Sequence, residues 1–146
     1  MYYIGLLIFM ILLVILFSFS ATLNNFIDIP SIIVILGFSV PIVMAAGLLS
    51  DFVKGFKLMA EKVNPFSVLE VKRILLSVQL MIKMMLLSGF VGIMSALIVI
   101  FSKFTTIETL FNHMSVAIIT LFYALILTII LLPIEAKAKA VIASLE

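Results

Sequence analysis

Four apolar stretches, each near the ~20 residues a helix needs to cross a hydrocarbon layer, leave this chain little choice of solvent. The first runs from Tyr2 to about Ser20 without a charge, and the second follows Pro30 to about Leu49. The third takes residues 80–101 and is free of charge from Met84 to Phe101. The fourth runs from about Met114 to Leu132 and closes at Pro133. Of 146 residues 66% are hydrophobic and only 11% charged, against about a quarter charged in soluble domains. A globule this small cannot bury so much apolar surface, so the expected solvent is lipid. The expected fold is all-α: one membrane domain, 1–146, with spans at about 2–20, 31–49, 80–101 and 114–132.

The same residues exclude several chemistries. There is no cysteine and one histidine, so disulfides, thiolate metal sites and His-ligated zinc are not expected. No glycine-rich phosphate loop, nucleophile elbow or basic nucleic-acid stripe occurs, so neither an enzyme, a resident cofactor nor a nucleic-acid partner is expected. The opening "MYYIGLL" lacks a basic segment and the first apolar run is long for a leader, which reads as a span.

Charge placement orients the spans. With both termini in the cytoplasm, Lys54, Lys57, Lys62, Lys72, Arg73, Lys83, Lys137 and Lys139 lie inside and only Lys103 outside, as the positive-inside rule asks. The largest part outside the membrane is then an internal loop over 50–79, with a cytoplasmic tail at 134–146. In "SDFVKGFKLMAEK" Phe52, Phe56, Met59 and Val63 fall on one helical face, while Asp51, Lys54, Lys57, Glu61 and Lys62 fall on the other. Asn64-Pro65 should break this helix. A new helix starting near Pro65 or Phe66 meets no stop before Phe101. Its ~36 residues would span ~54 Å, more than the ~30 Å hydrocarbon core, so the third span should project into the cytoplasm.

"FIDIPSIIVILGFS", Phe26 to Ser39, resembles the start of the second span of MotA-type flagellar stator proteins, roughly F-I-D-x-P-S, then branched aliphatics and G-G-T. Phe26, Ile27, Asp28, Pro30, Ser31 and Gly37 match, while Phe38 and Ser39 replace the second glycine and the threonine. Independently of the family, Asp28 suits a helix cap and Pro30 a first-turn position needing no amide donor. "LLSGFVGIMSA" is similar to the family's third-span segment, with Gly89 and Gly92 on its glycines, Leu86 for its proline, Ile93 for its threonine and Ala96 for its last glycine. "TLFYALILTIILLPIEAKAK" looks like the end of the fourth span, with Thr120 and Pro133 at the family's spacing. The resemblance covers most of the four spans and nothing of MotA's large cytoplasmic domain. TolQ and ExbB share the wider superfamily.

The resemblance implies a pentameric ring in a bacterial cytoplasmic (inner) membrane. It surrounds two copies of a single-span MotB-, TolR- or ExbD-like partner whose intramembrane aspartate carries the ion. Neither 84–101 nor 114–132 holds an acidic or basic side chain, so this subunit would supply walls and the partner the titrating group. Ser88, Gly92 and Ala96 form a small-residue ridge, either an ordinary helix seam or a lining for a turning partner, with Gly89 beside it. By resemblance Thr120 faces the ion path; alternatively its hydroxyl back-bonds to its own helix. Ile93, lacking the family's hydroxyl, argues for protons over sodium. Pro133 should end or kink the fourth span. Glu70, Lys72 and Arg73 are the one compact charged cluster for a cytoplasmic contact, or else a stretch facing lipid headgroups. Met81, Met84 and Met85 read as gap-filling core, and Lys83 as a snorkelling residue. His113 falls in the external loop. The competing expectation is a membrane scaffold or accessory subunit that kept the fold without ion flux, favoured by Leu86 and Ile93.

Overall fold

Aliphatic runs in lipid must satisfy their backbone groups internally, and helices do so within one segment. The computed structural model describes residues 2–20, 28–60, 66–102 and 106–145. They form five helices: α1 (Tyr2–Ser20), α2 (Ile29–Ala45), α3 (Leu49–Ala60), α4 (Val68–Ser102) and α5 (Ile107–Leu145). Three of these, α1, α4 and α5, are long and apolar enough to cross a membrane; α2 and α3, taken as one bent pair, make a fourth candidate. The chain is an all-α, multi-pass membrane protein.

Its frame is the antiparallel pair α4 and α5, the most extensive contact in the fold. The 35 residues of α4 form one uninterrupted rod, ~52 Å long at 1.5 Å per residue. It begins at Val68, slightly later than Pro65 or Phe66. Ser67 and Glu70 explain the start: Glu70 Oε2 accepts from the Ser67 N–H at 3.0 Å, and Ser67 Oγ accepts from the Glu70 N–H at 3.4 Å. This reciprocal capping box was present in the sequence as S-V-L-E.

The second span departs from 31–49. Helix α2 stops at Ala45 after 17 residues, ~26 Å of rise against a ~30 Å hydrocarbon core. Gly47 takes a φ of 68°. Its N–H bonds to Met44 O at 2.9 Å and that of Leu48 to Val43 O at 3.1 Å. These two bonds are a Schellman stop, which favours glycine because a Cβ is penalised at positive φ. The chain then turns by 106° into α3.

On α3 the buried face is Asp51, Gly55 and Leu58, not Phe52, Phe56 and Met59. Gly55 decides this: a Cβ there would lie 3.1 Å from Ile134 Cγ2 and 3.5 Å from Ile74 and Val78, so the bare glycine lets α3 lie against α4 and α5. Phe52 and Phe56 stack edge to face with centroids 5.5 Å apart. Val63, Glu61, Lys62 and the Asn64-Pro65 break lie outside the described residues, as do Phe26, Ile27 and Lys103.

Two further expectations change at α5. It begins at Ile107, so His113 is on an exposed helical turn and not in a loop. It also runs through Pro133 to Leu145, so Pro133 does not end it and the tail is helical. An internal proline costs about 3 kcal/mol, and packing offsets it: Ile134 and Ala138 just beyond are fully buried, Ile134 facing Gly55.

The core joins Ile35 and Val43 of α2, Leu58 of α3, Val71, Ile74, Val78, Met81 and Met85 of α4, and Ala124, Leu131, Ile134 and Ala138 of α5. Met81 and Met85 do fill this core. Helix α1 stands outside it, with no buried residue among those described.

Candidate functional site

Of the residues singled out by the sequence, Asp28, Ser31, Ser88, Gly89, Gly92 and Thr120 lie where α2 runs along the seam between α4 and α5. Glycines set the separation of α4 and α5. A Cβ on Gly89 would sit 2.6 Å from Ala124 Cβ, and one on Gly92 2.7 Å from Thr120 Cγ2. Both are closer than real Cβ contacts, so these glycines are what allows α5 to approach. Ser88 is buried and turned towards α2, its Oγ 3.3 Å from Ser39 Oγ. Each hydroxyl already donates its single proton to its own helix, Ser88 to Met84 O at 2.6 Å and Ser39 to Ile35 O at 2.7 Å. Ala96 and Ile93 are half-exposed. Ser88, Gly89 and Gly92 thus serve a seam within one chain.

Thr120 is 7% exposed. Its Oγ1 donates to Val116 O at 3.2 Å, the back-bond to its own helix that was the alternative expectation, and lies 2.7 Å from Ser31 Oγ. Ser31 donates to Asp28 Oδ2, and a carboxylate is the stronger acceptor. In the 2.7 Å contact either hydroxyl can be the donor. Thr120, Ser31 and Asp28 thus form one hydrogen-bonded cluster at the start of α2. Whether the Thr120 proton goes to Val116 O or to Ser31 Oγ, it is used inside the chain, which leaves the oxygen as an acceptor.

Asp28 occupies the N-cap position of α2 but makes no side-chain bond to the backbone amides: Pro30 removes one amide donor from the first turn, and Asp28 Oδ2 accepts from the Ser31 hydroxyl instead. Its own N–H donates to Tyr123 Oη at 3.3 Å. Pro30 lies in the first turn of α2. The start of α2 is thereby tied to α5 at two points one turn apart, Thr120 and Tyr123. One turn beyond Thr120 on α5 falls Ala124, and one turn beyond that Thr128, whose buried Oγ1 has no hydrogen-bond partner among the described residues.

At the other end of α4, Glu70 and Arg73 join a wider network through Lys54 and Asp51 of α3. Arg73 Nε donates to Asp51 Oδ2 at 2.9 Å, and Lys54 Nζ lies 3.5 Å from Asp51 Oδ1 and 3.7 Å from Glu70 Oε1. Lys72 is exposed. Glu70 is below the apolar stretch 80–101; the Ser67 N–H, then the Ser67 hydroxyl and Lys54, hold its carboxyl below the usual range. Gln79 Nε2 donates to Glu135 Oε1 at 2.9 Å, fixing the register of α4 and α5. Asp51, placed on the polar face by periodicity, is the buried anchor of this network at 3% exposure.

Sequence reasoning missed Ser39, Gly47, Asp51 and the capping role of Glu70. Signals existed for three of them: Gly47 follows an apolar run, S-V-L-E has capping spacing, and Asp51 lies in the first turn of α3. Among the described residues no group of His, Cys, Asp or Glu could hold a metal ion. No family model, curated protein or solved structure matches this chain.

Proposed function

We propose that this chain is the multi-span subunit of an ion-driven membrane motor of the MotA/TolQ/ExbB type. It forms a ring, five-fold by the resemblance, around a dimeric single-span partner with an intramembrane aspartate, in a bacterial inner membrane with both termini cytoplasmic. Protons are the expected ion, and flux drives rotation or force. One observation supports the reading most. The two distant segments that resemble the family, around Ser31 and around Thr120, are joined side chain to side chain at 2.7 Å. The apolar part of α4 and α5 adds that no acidic or basic group is available to relay ions, which leaves that task to a partner. On this reading α4 and α5 extend past the membrane as the cytoplasmic part, and the unpartnered apolar side chains Leu87, Phe90, Val91, Met94 and Ile98 of α4 meet lipid or other subunits.

The test is mild-detergent purification from native membranes with native mass spectrometry, after crosslinking in the membrane. Five copies holding two single-span proteins with an aspartate in the span are expected. A crosslinked assembly without such a companion would refute the motor. One observation favours the second reading, a non-conducting scaffold or accessory subunit: the proton of Thr120 is already used inside the chain. Proton flux through the reconstituted complex separates the two, since a scaffold passes none.

A further inference from the structure

Helix α1 touches α5 at two places only loosely side by side. Tyr2 Oη donates to Ile130 O at 3.2 Å, in the turn that precedes Pro133, and Phe17 packs on Phe122 with centroids 5.6 Å apart. Beside the first of these contacts the helices part around a cavity of ≈ 290 Å³. Gly5 and Phe9 line it from α1, Ile129 and Pro133 from α5, and Met59 of α3 from below. The one polar group on the wall, the Tyr2 hydroxyl, is turned to a backbone carbonyl. Water needs two to four polar partners, which a wall this apolar does not supply. A Cβ on Gly5 would meet nothing within 4 Å, so the chain leaves the space open where most side chains would close it.

We propose that this cavity binds one acyl chain of an anionic phospholipid, whose phosphate lies at Lys137. Charge indicates the headgroup. Lys137 falls one turn beyond Pro133 on the same side of α5, since residues four apart share a helix face. Lys57 is carried on α3, the helix that lines the cavity through Met59. Each Lys near an anionic surface adds about 1 kcal/mol of attraction. The site goes beyond the motor reading and stands whether or not the protein moves ions.

The experiment is native mass spectrometry of the full chain from nanodiscs of equal phosphatidylglycerol and phosphatidylcholine, counting lipid retained per chain. The wild type should keep about one phosphatidylglycerol in preference to phosphatidylcholine. Gly5→Phe, which fills the cavity, should lose it. Lys137→Gln should lose the preference for the anionic headgroup. Gly37→Phe is the control, because Gly37 also faces open space but does not line this cavity; it should retain lipid as the wild type does. Circular dichroism establishes that each variant is helical. Equal retention by wild type and Gly5→Phe overturns the site, and equal retention of the two lipids by wild type overturns the anionic assignment. Crosslinking of α1 residue 5 to a second copy would also overturn it, by giving the cavity to protein.

Discussion

Ser31 Oγ and Thr120 Oγ1 lie 2.7 Å apart although 89 positions separate them in the sequence. The contact binds the first turn of α2 to the middle of α5. It gives Thr120 a structural role whatever else it does.

Thr120→Val should therefore loosen α2 from α5, by about 1 kcal/mol, the scale of a side-chain hydrogen bond within a membrane bundle. The same change at Thr128 should have the opposite sign. Its buried hydroxyl is unpaired, and removing it relieves a desolvation cost of about 1 kcal/mol or more. Unfolding of both variants in mixed micelles reads the difference directly; equal shifts would show that the two hydroxyls are equivalent.

Gly89→Ala should cost about 1–3 kcal/mol, the usual penalty of overpacking. The added methyl would lie 2.6 Å from Ala124 Cβ, which cannot rotate away. Gly37→Ala adds the same methyl where nothing lies within 4 Å and should stabilise α2 by about 0.5–1 kcal/mol through helix propensity. Thermal unfolding of the pair checks both signs.

Arg73→Met should destabilise more than Asp51→Asn. Removing Arg73 strands a carboxylate whose side chain is 4% exposed, whereas removing the charge of Asp51 leaves a guanidinium that is 55% exposed and free to hydrate. Because Lys54 remains 3.5 Å from Asp51, the loss should stay below the ~3–5 kcal/mol of a fully broken buried pair. A double-mutant cycle with calorimetry measures the coupling; the reverse order of the single variants would contradict it.

The start of α4 should fray in acid. The carboxyl pKa of Glu70 is lowered in the folded protein, first by the Ser67 N–H. Its contribution is thus complete above the unfolded value and is lost as pH falls through the folded one. Intrinsic-rate-corrected amide exchange at residues 68–71 should speed up over that range. Glu70→Gln, which can keep the capping geometry without a charge, should flatten the dependence.

Much of this architecture was legible in the sequence, for reasons that differ by element. Apolar length announced α1, α4 and α5, since nothing but helix satisfies such runs in lipid. The small residues at 88, 89 and 92 announced a close seam, though not that α2 and α5 of the same chain would occupy it. What periodicity could not reveal were outcomes settled between distant segments. Gly55 turned α3 onto a face containing Asp51 because Ile134 needed the space. Pro133 stayed inside a helix because Ile134 and Ala138 were held by neighbours. Asp28 accepts from the Ser31 hydroxyl, itself beside Thr120, and makes no side-chain cap bond.

The elbow at Gly47 has a consequence for how this chain can vary. Upstream, Ser31 and Ser39 fix the rotation of α2; downstream, Asp51 and Gly55 fix that of α3. One residue gained or lost within α2 between Ser39 and the elbow would turn everything beyond it by ~100°. Asp51 would swing away from Arg73, and a bulkier face would meet Ile134. Substitutions along this segment can be absorbed singly, but its length cannot drift. Insertions and deletions among variants of this chain should therefore fall elsewhere, and the distance from Ser39 to Asp51 should be constant even where the intervening letters are not.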